Sequence, residues 1–318
     1  MAGYVLGRAA QAVFVVWAAF TLTFVALRLL PGDPVELMLN GRGGGQAASP
    51  EEIARAKAQL GFDKPLLQQY FDSLGGALHG DFGRSIQTQQ PVSQMLSQSL
   101  PATLQLGLAA LVLAILAGIA LGVLANLVPS VFGRQLVRSV PSVAIALPSF
   151  WVGLILIQLF SLQWKLFPSI GGTEFAGLVL PACTLAIPGA ALVGQVLGKS
   201  LHTTLAESYV DVVRATGASR LRVLLSHGLR NAAIPAVTVT GLLVGYLIGG
   251  SVVVETVFSR PGIGRDIYFA VTTQDLPVVQ GVVVVASTAF VVVNLVVDLL
   301  YPVLDPRIRS HGGQAVPA

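Results

Sequence analysis

The chain has 318 residues, of which 54% are hydrophobic and 11% are charged, and it carries a formal net charge of +4. A soluble domain needs about 25% charged residues to face water, so this composition excludes an ordinary soluble protein and predicts a surface that mostly faces lipid. The basic residues are spread over connecting segments and form no patch with aromatic residues, which argues against nucleic acid as a partner.

Six apolar runs are each about 20 residues long, the length that crosses roughly 30 Å of hydrocarbon as a helix. Their central stretches contain no Lys, Arg, Asp or Glu, any one of which would cost about 3 kcal/mol at the centre of a span. Several contain proline, notably Pro141, Pro148 and Pro188, which membrane helices tolerate when neighbouring groups satisfy the freed carbonyls. These prolines serve either plain helix packing or a gating kink. We therefore predict an all-α membrane protein with six transmembrane helices over residues 9–30, 102–127, 140–162, 175–197, 232–254 and 278–301.

The distribution of Lys and Arg among the short connections predicts how these spans are oriented. Basic residues are concentrated before the first span, between spans two and three, between spans four and five, and after span six. The positive-inside rule places these connections and both termini in the cytoplasm. The residues concerned are Arg8, Arg134, Arg138, Lys199, Arg214, Arg220, Arg222, Arg230, Arg307 and Arg309.

The chain then divides into four regions. Residues 1–30 form the N-terminal region with the first span, and residues 31–101 form an extracytoplasmic helical segment. Residues 102–303 form the transmembrane core with spans two to six, including a cytoplasmic loop over 199–231. Residues 304–318 form a cytoplasmic tail.

The external segment 31–101 is long enough to be a small folded element. The sequence from Ser49 to Glu52 has the pattern of a capping box, which predicts a helix start, and Gly61 is expected to end that helix. A second amphipathic helix is predicted over 66–78. These two helices would either provide a surface for an external partner or cover the opening of a pathway.

The cytoplasmic loop 199–231 is too polar to span, yet it has apolar residues at near-helical spacing. We predict a short helix over 207–216, a turn at Gly217, and a second helix capped by Ser219. A helix, turn and helix that project from the membrane could bind a cytoplasmic partner. The alternative is a connector that lies on the membrane surface.

Residues 207–235, ESYVDVVRATGASRLRVLLSHGLRNAAIP, resemble the EAA loop of ABC importer permeases. Asp211 stands in the place of the acidic residue of that motif, and Gly217 is its glycine. The spacing to Pro235 is typical of the peptide-transporting branch. In that family the short helix before the glycine inserts into a cleft of the ATPase subunit. The resemblance therefore implies an ATPase-coupling role for Glu207, Tyr209, Asp211, Arg214, Ala215, Gly217 and Arg220.

Other stretches resemble the first permease, the B-type subunit, of the dipeptide, oligopeptide and nickel branch. They are PGDPV from Pro31, LGFDKPLLQQY from Leu60, GDFGRSI from Gly80, GSVVVETVFSRPGIG from Gly250 and NLVVDLLYPVLDPRIR from Asn294. The resemblance implies a type I ABC importer permease fold with a small helical extracytoplasmic insertion between helices 1 and 2.

The same resemblance implies a location in the bacterial cytoplasmic (inner) membrane. The implied partners are membrane lipid, a second homologous permease that forms a heterodimer with this chain, two ABC ATPase subunits or domains, and an extracytoplasmic substrate-binding protein. This chain would bind no cofactor itself, because ATP and Mg²⁺ would be used by the partner ATPases.

Two further groups of residues are candidates for gating and for helix packing. The turn-rich loop after the fifth span is predicted to be a hairpin, including Gly264, that could fold into an outer vestibule. The gate or binding-protein contact is assigned to Glu255, Phe258, Pro261 and Gly262. Helix packing is assigned to Asn294 and Asp298, one turn apart. For Glu255 and Asp298 the alternative is interfacial solvation or a structural hydrogen bond between helices.

The sequence offers no catalytic or metal site of its own. The GQVLGKS stretch from Gly194 has its glycines one residue too close for a phosphate-binding loop, so energy would come from another chain. None of the four histidines has a carboxylate or second histidine at metal-ligand spacing, and the single Cys183 excludes a cysteine cluster. Peptides are the first substrate class on resemblance. Nickel or another small solute, a non-conducting membrane scaffold and an intramembrane hydrolase are the alternatives.

Overall fold

The computed structural model describes residues 2–29, 31–42, 48–170 and 174–304, apart from the side chains of residues 2–6, 41–42, 237 and 296–304. The described backbone is mostly helical. In chain order the helices are α1 (Ala2–Leu29), α2 (Pro34–Arg42), α3 (Pro50–Leu60), α4 (Leu66–Leu78), α5 (Val92–Leu127), α6 (Val131–Ala146), α7 (Ser149–Leu156, continued by a π-helical stretch Ile157–Gln163), α8 (Phe175–Thr204), α9 (Ser208–Ala215), α10 (Arg220–Arg222, continued by a π-helical stretch Val223–Gly228), α11 (Leu229–Val257), α12 (Ile263–Thr272) and α13 (Leu276–Leu304).

The predicted membrane architecture is confirmed. Within the described residues, five helical segments are long and apolar enough to cross a membrane, and a bent helix pair supplies a sixth candidate. The five segments are Gly7–Leu29, Val92–Leu127, Phe175–Thr204, Thr238–Val257 and Leu276–Leu295. The bent pair is Val131–Ala146 with Ser149–Gln163.

The third span, predicted over 140–162, is sharply bent. Its two halves meet at an angle of 104°. The break falls at Leu147, which is extended with ψ 127°, directly before Pro148. A proline ring disfavours the helical conformation of the preceding residue, so the chain bends here.

The helices predicted between the first two spans are confirmed by their caps. The Ser49 Oγ accepts a hydrogen bond from the Glu52 amide at 3.3 Å, and the Glu52 carboxylate accepts one from the Ser49 amide at 2.9 Å. Gly61 ends α3 in the left-handed conformation with φ +74°. Helix α4 has the predicted bounds. Helix α2 was not predicted, and the Asp33 side chain helps to start it by accepting the Val35 amide at 3.0 Å.

The chain divides into two compact units, Met1–Thr103 with Arg260–Val292, and Leu104–Ser259 with Val293–Ala318. In the first unit, apolar residues of α5, α12 and α13 form one core, which includes Val92, Ile263 and Val278. A second core joins Val35 and Met38 of α2 to Ile86 and Leu276.

An ion pair between Asp33 and Lys57 joins α2 to α3 in the first unit. Burial raises the pKa of Asp33, but hydrogen bonds from Lys57 and from the Val35 and Glu36 amides outweigh it, so this pKa lies below its ordinary value. Asp33 therefore stabilises the folded state above its unfolded pKa, and this contribution is lost as the pH falls through its folded pKa.

The core of the second unit is centred on α8. Leu106 of α5, Leu185 of α8 and Leu243 of α11 belong to its main apolar cluster, together with Phe258. A smaller cluster joins Leu197 and Leu201 of α8 to Leu224 and Ala232.

Helices α5 and α8 approach each other closely because glycines line their contact. A Cβ atom on Gly118 would lie 2.6 Å from the Val193 Cβ, and one on Gly194 would lie 2.9 Å from the Leu121 Cβ. The buried Asn126 amide donates to the carbonyls of Gly122 and Gly198, each at 3.0 Å. Small residues and interhelical hydrogen bonds are the main means of helix association in lipid, so this seam stabilises the second unit.

We expect Gly118→Ala to destabilise the protein by about 1–3 kcal/mol, because the added methyl group overlaps Val193. The thermal unfolding midpoint of the detergent-purified chain, followed by tryptophan fluorescence, measures this change. Gly107→Ala on the same helix is the matched control, since its added Cβ meets no atom within 4 Å. Equal midpoints for the two variants would contradict the close-packing interpretation.

Candidate functional site

The predicted helix, turn and helix after α8 are confirmed. Helix α9 has eight residues and begins after Glu207, whose backbone is extended. Gly217 adopts φ +83°, a backbone conformation that residues other than glycine rarely adopt. Its amide donates a hydrogen bond to the Arg214 carbonyl at 2.9 Å. Ser219 caps the next helix by accepting the Arg222 amide at 3.4 Å.

Helix α9 is anchored on one side and exposed on the other. Val210 is fully buried, and the Tyr209 hydroxyl accepts a hydrogen bond from the Asn231 amide at 3.0 Å, which joins α9 to α11. Asp211 and Arg214 form an ion pair at 3.3 Å, but both side chains are largely exposed, so the pair contributes little stability. Ala215 and Val212 are exposed beside them, with Val212 67% exposed. This face is available to a partner.

The second half of the segment is tied to the membrane helices by a polar contact that the sequence did not predict. The Arg220 guanidinium donates to the Asn126 carbonyl at 3.0 Å, and the Asn126 side chain contacts the α8 backbone. The only indication of this contact in the sequence is that Asn126 is a polar residue near the end of an otherwise apolar run. Val223 and Leu224 are buried beneath this turn. Five of the seven residues assigned to coupling are therefore on α9 and the following turn, Glu207 directly precedes α9, and Arg220 is the first residue of α10.

The residues assigned to a gate are not all arranged as expected. Glu255 and Phe258 are buried in the second unit, so interfacial solvation is the wrong interpretation for Glu255. A Cβ on Gly153 would lie 3.2 Å from the Phe258 ring, which packs against α7. Arg260, which the sequence analysis did not single out, is also fully buried.

The predicted hairpin after the fifth span is wrong. Pro261 is exposed and Gly262 is extended, but Gly264 lies inside helix α12. The helix forms because Ile263, Ile267 and Ala270 recur at helical spacing and pack on the first core. The Ile263 amide donates to the Thr103 hydroxyl at 2.9 Å, which fixes the start of α12.

The two residues assigned to helix packing both lie on α13. Asn294 is partly buried, whereas the Asp298 side chain lies outside the described residues. Their packing role stays a prediction.

A buried carboxylate that the sequence analysis missed organises the outer part of the first unit. Asp275 is 3% exposed, and its oxygens accept hydrogen bonds from the Ser85 hydroxyl and from the amides of Ile86, at 3.0 Å, and Gln87, at 3.2 Å. Its own carbonyl accepts the Val279 amide at the start of α13. Asp275 therefore holds the GDFGRSI stretch against the corner between α12 and α13. These partners lie about 190 residues apart in the sequence, so no local pattern could indicate the contact.

Comparisons with known proteins match the chain along most of its length. The family model described as binding-protein-dependent transport system inner membrane component matches residues 118–310, and a model for the N-terminal part of such membrane components matches residues 1–107. The dipeptide transport system permease protein DppB of Escherichia coli is 38% identical, with 91% of this chain and 93% of DppB covered. The glutathione transport system permease protein GsiC of Escherichia coli is 36% identical, with 97% of this chain and 99% of GsiC covered.

A solved structure supports the fold. An inward-facing conformation of the MetNI methionine ABC transporter superposes with a TM-score of 0.58 and 16% sequence identity. The match covers 67% of this chain and 97% of that chain. At this identity the likeness establishes the fold alone.

Proposed function

This chain belongs to the family of binding-protein-dependent transport system inner membrane components, and we propose that it forms half of the translocation pathway of an ATP-driven importer of peptides. The observation that carries the substrate class is the 38% identity to a dipeptide permease over 91% of the chain. The similarity to a permease for glutathione, itself a tripeptide, favours the same class of short peptides.

The exposed face of α9 is the proposed docking surface for an ATPase subunit. It presents Asp211, Val212 and Arg214, while Val210 and Tyr209 hold the helix from behind. Two ATPase subunits or domains would use ATP and Mg²⁺, so the chain itself would catalyse no reaction. A second homologous permease would complete the pathway, and an external binding protein would deliver the peptide.

Hydrogen bonds between the segment after α9 and the membrane helices would transmit movement of the ATPases to the spans. When the ATPases draw together on binding ATP, α9 moves with them, and the rigid turn at Gly217 carries the displacement to Arg220. The Arg220 to Asn126 hydrogen bond, and the Asn126 bridge to Gly198, pass it to α5 and α8. Packed helices move as rigid groups, so a rocking motion between inward-open and outward-open states follows.

Glu255 and Phe258 remain the proposed gate residues within the second unit. Helix α12 replaces the expected hairpin as the proposed contact for the binding protein. It exposes Tyr268, Phe269 and Val271, and exposed aromatic residues are common at protein interfaces. Pro261 and Gly262 position the start of this helix.

The chain is a multi-pass membrane protein of an ABC transport system, and the proposed location is the inner membrane of a bacterium with both termini in the cytoplasm. The concentration of basic residues around 199–231 supports this orientation.

In a Cys183→Ser background, we expect Asp63→Cys to react with an impermeant maleimide in intact cells, because residue 63 is exposed in the external segment. Ser208→Cys on α9 should react only after the cells are opened. The reverse labelling pattern would overturn the orientation.

Affinity purification of the full chain from mildly solubilised native membranes tests the proposed function. We expect a second six-span protein and ATPases with phosphate-binding loops to co-purify, and the complex to hydrolyse ATP. In cells, uptake of a labelled dipeptide should depend on the chain and be blocked by excess unlabelled peptide but not by nickel. Recovery of the chain alone, without hydrolysis in several detergents, would favour a scaffold.

Substitutions at Gly217 test the coupling role. A β-branched residue with φ near +83° is strained by roughly 1–3 kcal/mol, so Gly217→Val should lower peptide uptake by about tenfold or more. Gly217→Asn is the matched control, because asparagine tolerates the left-handed conformation and should retain most uptake. Immunoblots should show equal membrane levels for both. Normal uptake by Gly217→Val would show that the coupling assignment is wrong.

A further inference from the structure

A basic cavity of about 210 Å³ lies in the second unit, between the start of α6, the end of α8 and the α9–α10 turn. Four arginines and one histidine line this cavity, and none of its lining residues is Asp or Glu. They are Arg134, Arg138, His202, Arg214 and Arg220. Of the seven residues assigned to coupling, only Arg214 and Arg220 line it.

The arginines of α6 have no counter-charge within the described part of the chain. Arg214 is paired with Asp211, and Arg220 donates to the Asn126 carbonyl. Neither Arg134 nor Arg138 forms an ion pair with a described carboxylate. Like charges around one cavity repel each other until an anion enters, and guanidinium groups match the oxygens of a phosphate in charge and geometry.

Helix α6 presents a different surface on its other side. Arg134 and Arg138 are one turn apart, and so are Phe132 and Leu136, which lie about 200° around the helix from them. Phe132 is 82% exposed and Leu136 is 60% exposed. Because α6 begins a candidate membrane span, these apolar side chains fit the acyl chains of a bilayer while the arginines remain at headgroup depth.

A second cavity of about 260 Å³ adjoins the first and shares Arg138 and His202 with it. Lys199 adds one more positive charge to its lining, and most of its other lining residues are apolar or glycine. They include Leu121, Ala125, Val137 and Pro141. A basic cavity that opens beside an apolar one suits a ligand with an anionic group attached to a hydrocarbon portion. A free inorganic anion would use only the first cavity.

We propose that this pair of cavities binds one anionic phospholipid. Its phosphate lies among Arg134, Arg138 and Arg220, and its glycerol and upper acyl chain occupy the cavity lined by Val137 and Pro141. Because Arg220 is the first residue of α10, directly after the turn at Gly217, the bound lipid orders the connection between α9 and the membrane helices. The assignment to the cytoplasmic leaflet rests on the orientation proposed above, whereas the binding itself does not.

Native mass spectrometry of the full chain in detergent tests the site, with phosphatidylglycerol and phosphatidylcholine as probes. We expect phosphatidylglycerol to be retained and phosphatidylcholine not. Arg134→Gln with Arg138→Gln should weaken phosphatidylglycerol binding about tenfold, because charge-assisted phosphate contacts are lost. Arg222→Gln is the matched control, since Arg222 is an exposed arginine two residues after Arg220 that does not line either cavity. The lysine double variant Arg134→Lys with Arg138→Lys should restore binding.

Three outcomes would overturn the proposal. Equal phosphatidylglycerol binding by the glutamine double variant and the wild type would show that Arg134 and Arg138 do not form the binding site. Equal binding of phosphatidylglycerol and phosphatidylcholine would show that the site does not select an anionic lipid. If millimolar inorganic phosphate displaced phosphatidylglycerol and raised the thermal unfolding midpoint of the chain by the same amount as the lipid does, the cavity would be assigned to a free anion. Should the double variant fail gel filtration, Arg138→Gln alone, at an exposed position, gives the same comparison. Because these measurements need no partner subunit, they can fail or succeed independently of peptide transport.

Discussion

The close approach of α5 and α8 is the contact on which the second unit depends. In lipid there is no hydrophobic gain from bringing two apolar helices together, so the seam must come from tight packing and hydrogen bonds. Gly118 and Gly194 allow the approach, and the Asn126 amide bridges the two backbones. Helix α8 is the most buried of the five unbroken spans, and α6, α7 and α11 all pack against it. A displaced seam would therefore shift each of these helices.

The same asparagine attaches the exposed segment after α8 to the membrane helices. Its carbonyl accepts the Arg220 guanidinium, so the turn that follows α9 is attached to the seam itself. Tyr209 attaches the other side of α9 to α11 through Asn231. Two separate hydrogen bonds therefore join α9 and the turn after it to two spans, and under the proposed coupling role a force on α9 would reach both. The proposed lipid site uses the space beneath this attachment.

Much of the fold follows from local sequence rules. The capping box at Ser49, the left-handed glycines at 61 and 217, and the apolar runs are all decided within a few residues, and all were predicted. A kink at the prolines of the third span was one of two alternatives, and its angle of 104° could not be predicted because hydropathy measures length and not direction. The hairpin was wrong because glycines suggested a turn, whereas packing of Ile263 and Ala270 on the first core favours a helix. The Asp275 contacts join distant segments, which no local rule can pair.

The break between α6 and α7 affects how the chain enters the bilayer during synthesis. Helix α6 has 16 residues, and α7 with its π-helical extension has 15, so each half is only about 24 Å long against a hydrocarbon thickness of about 30 Å. Neither half can cross alone, and the bent backbone exposes polar groups to lipid until protein covers them. Both halves pack against α8, which the ribosome makes later. The contacts that bury both halves can therefore form only after α8 has been synthesised.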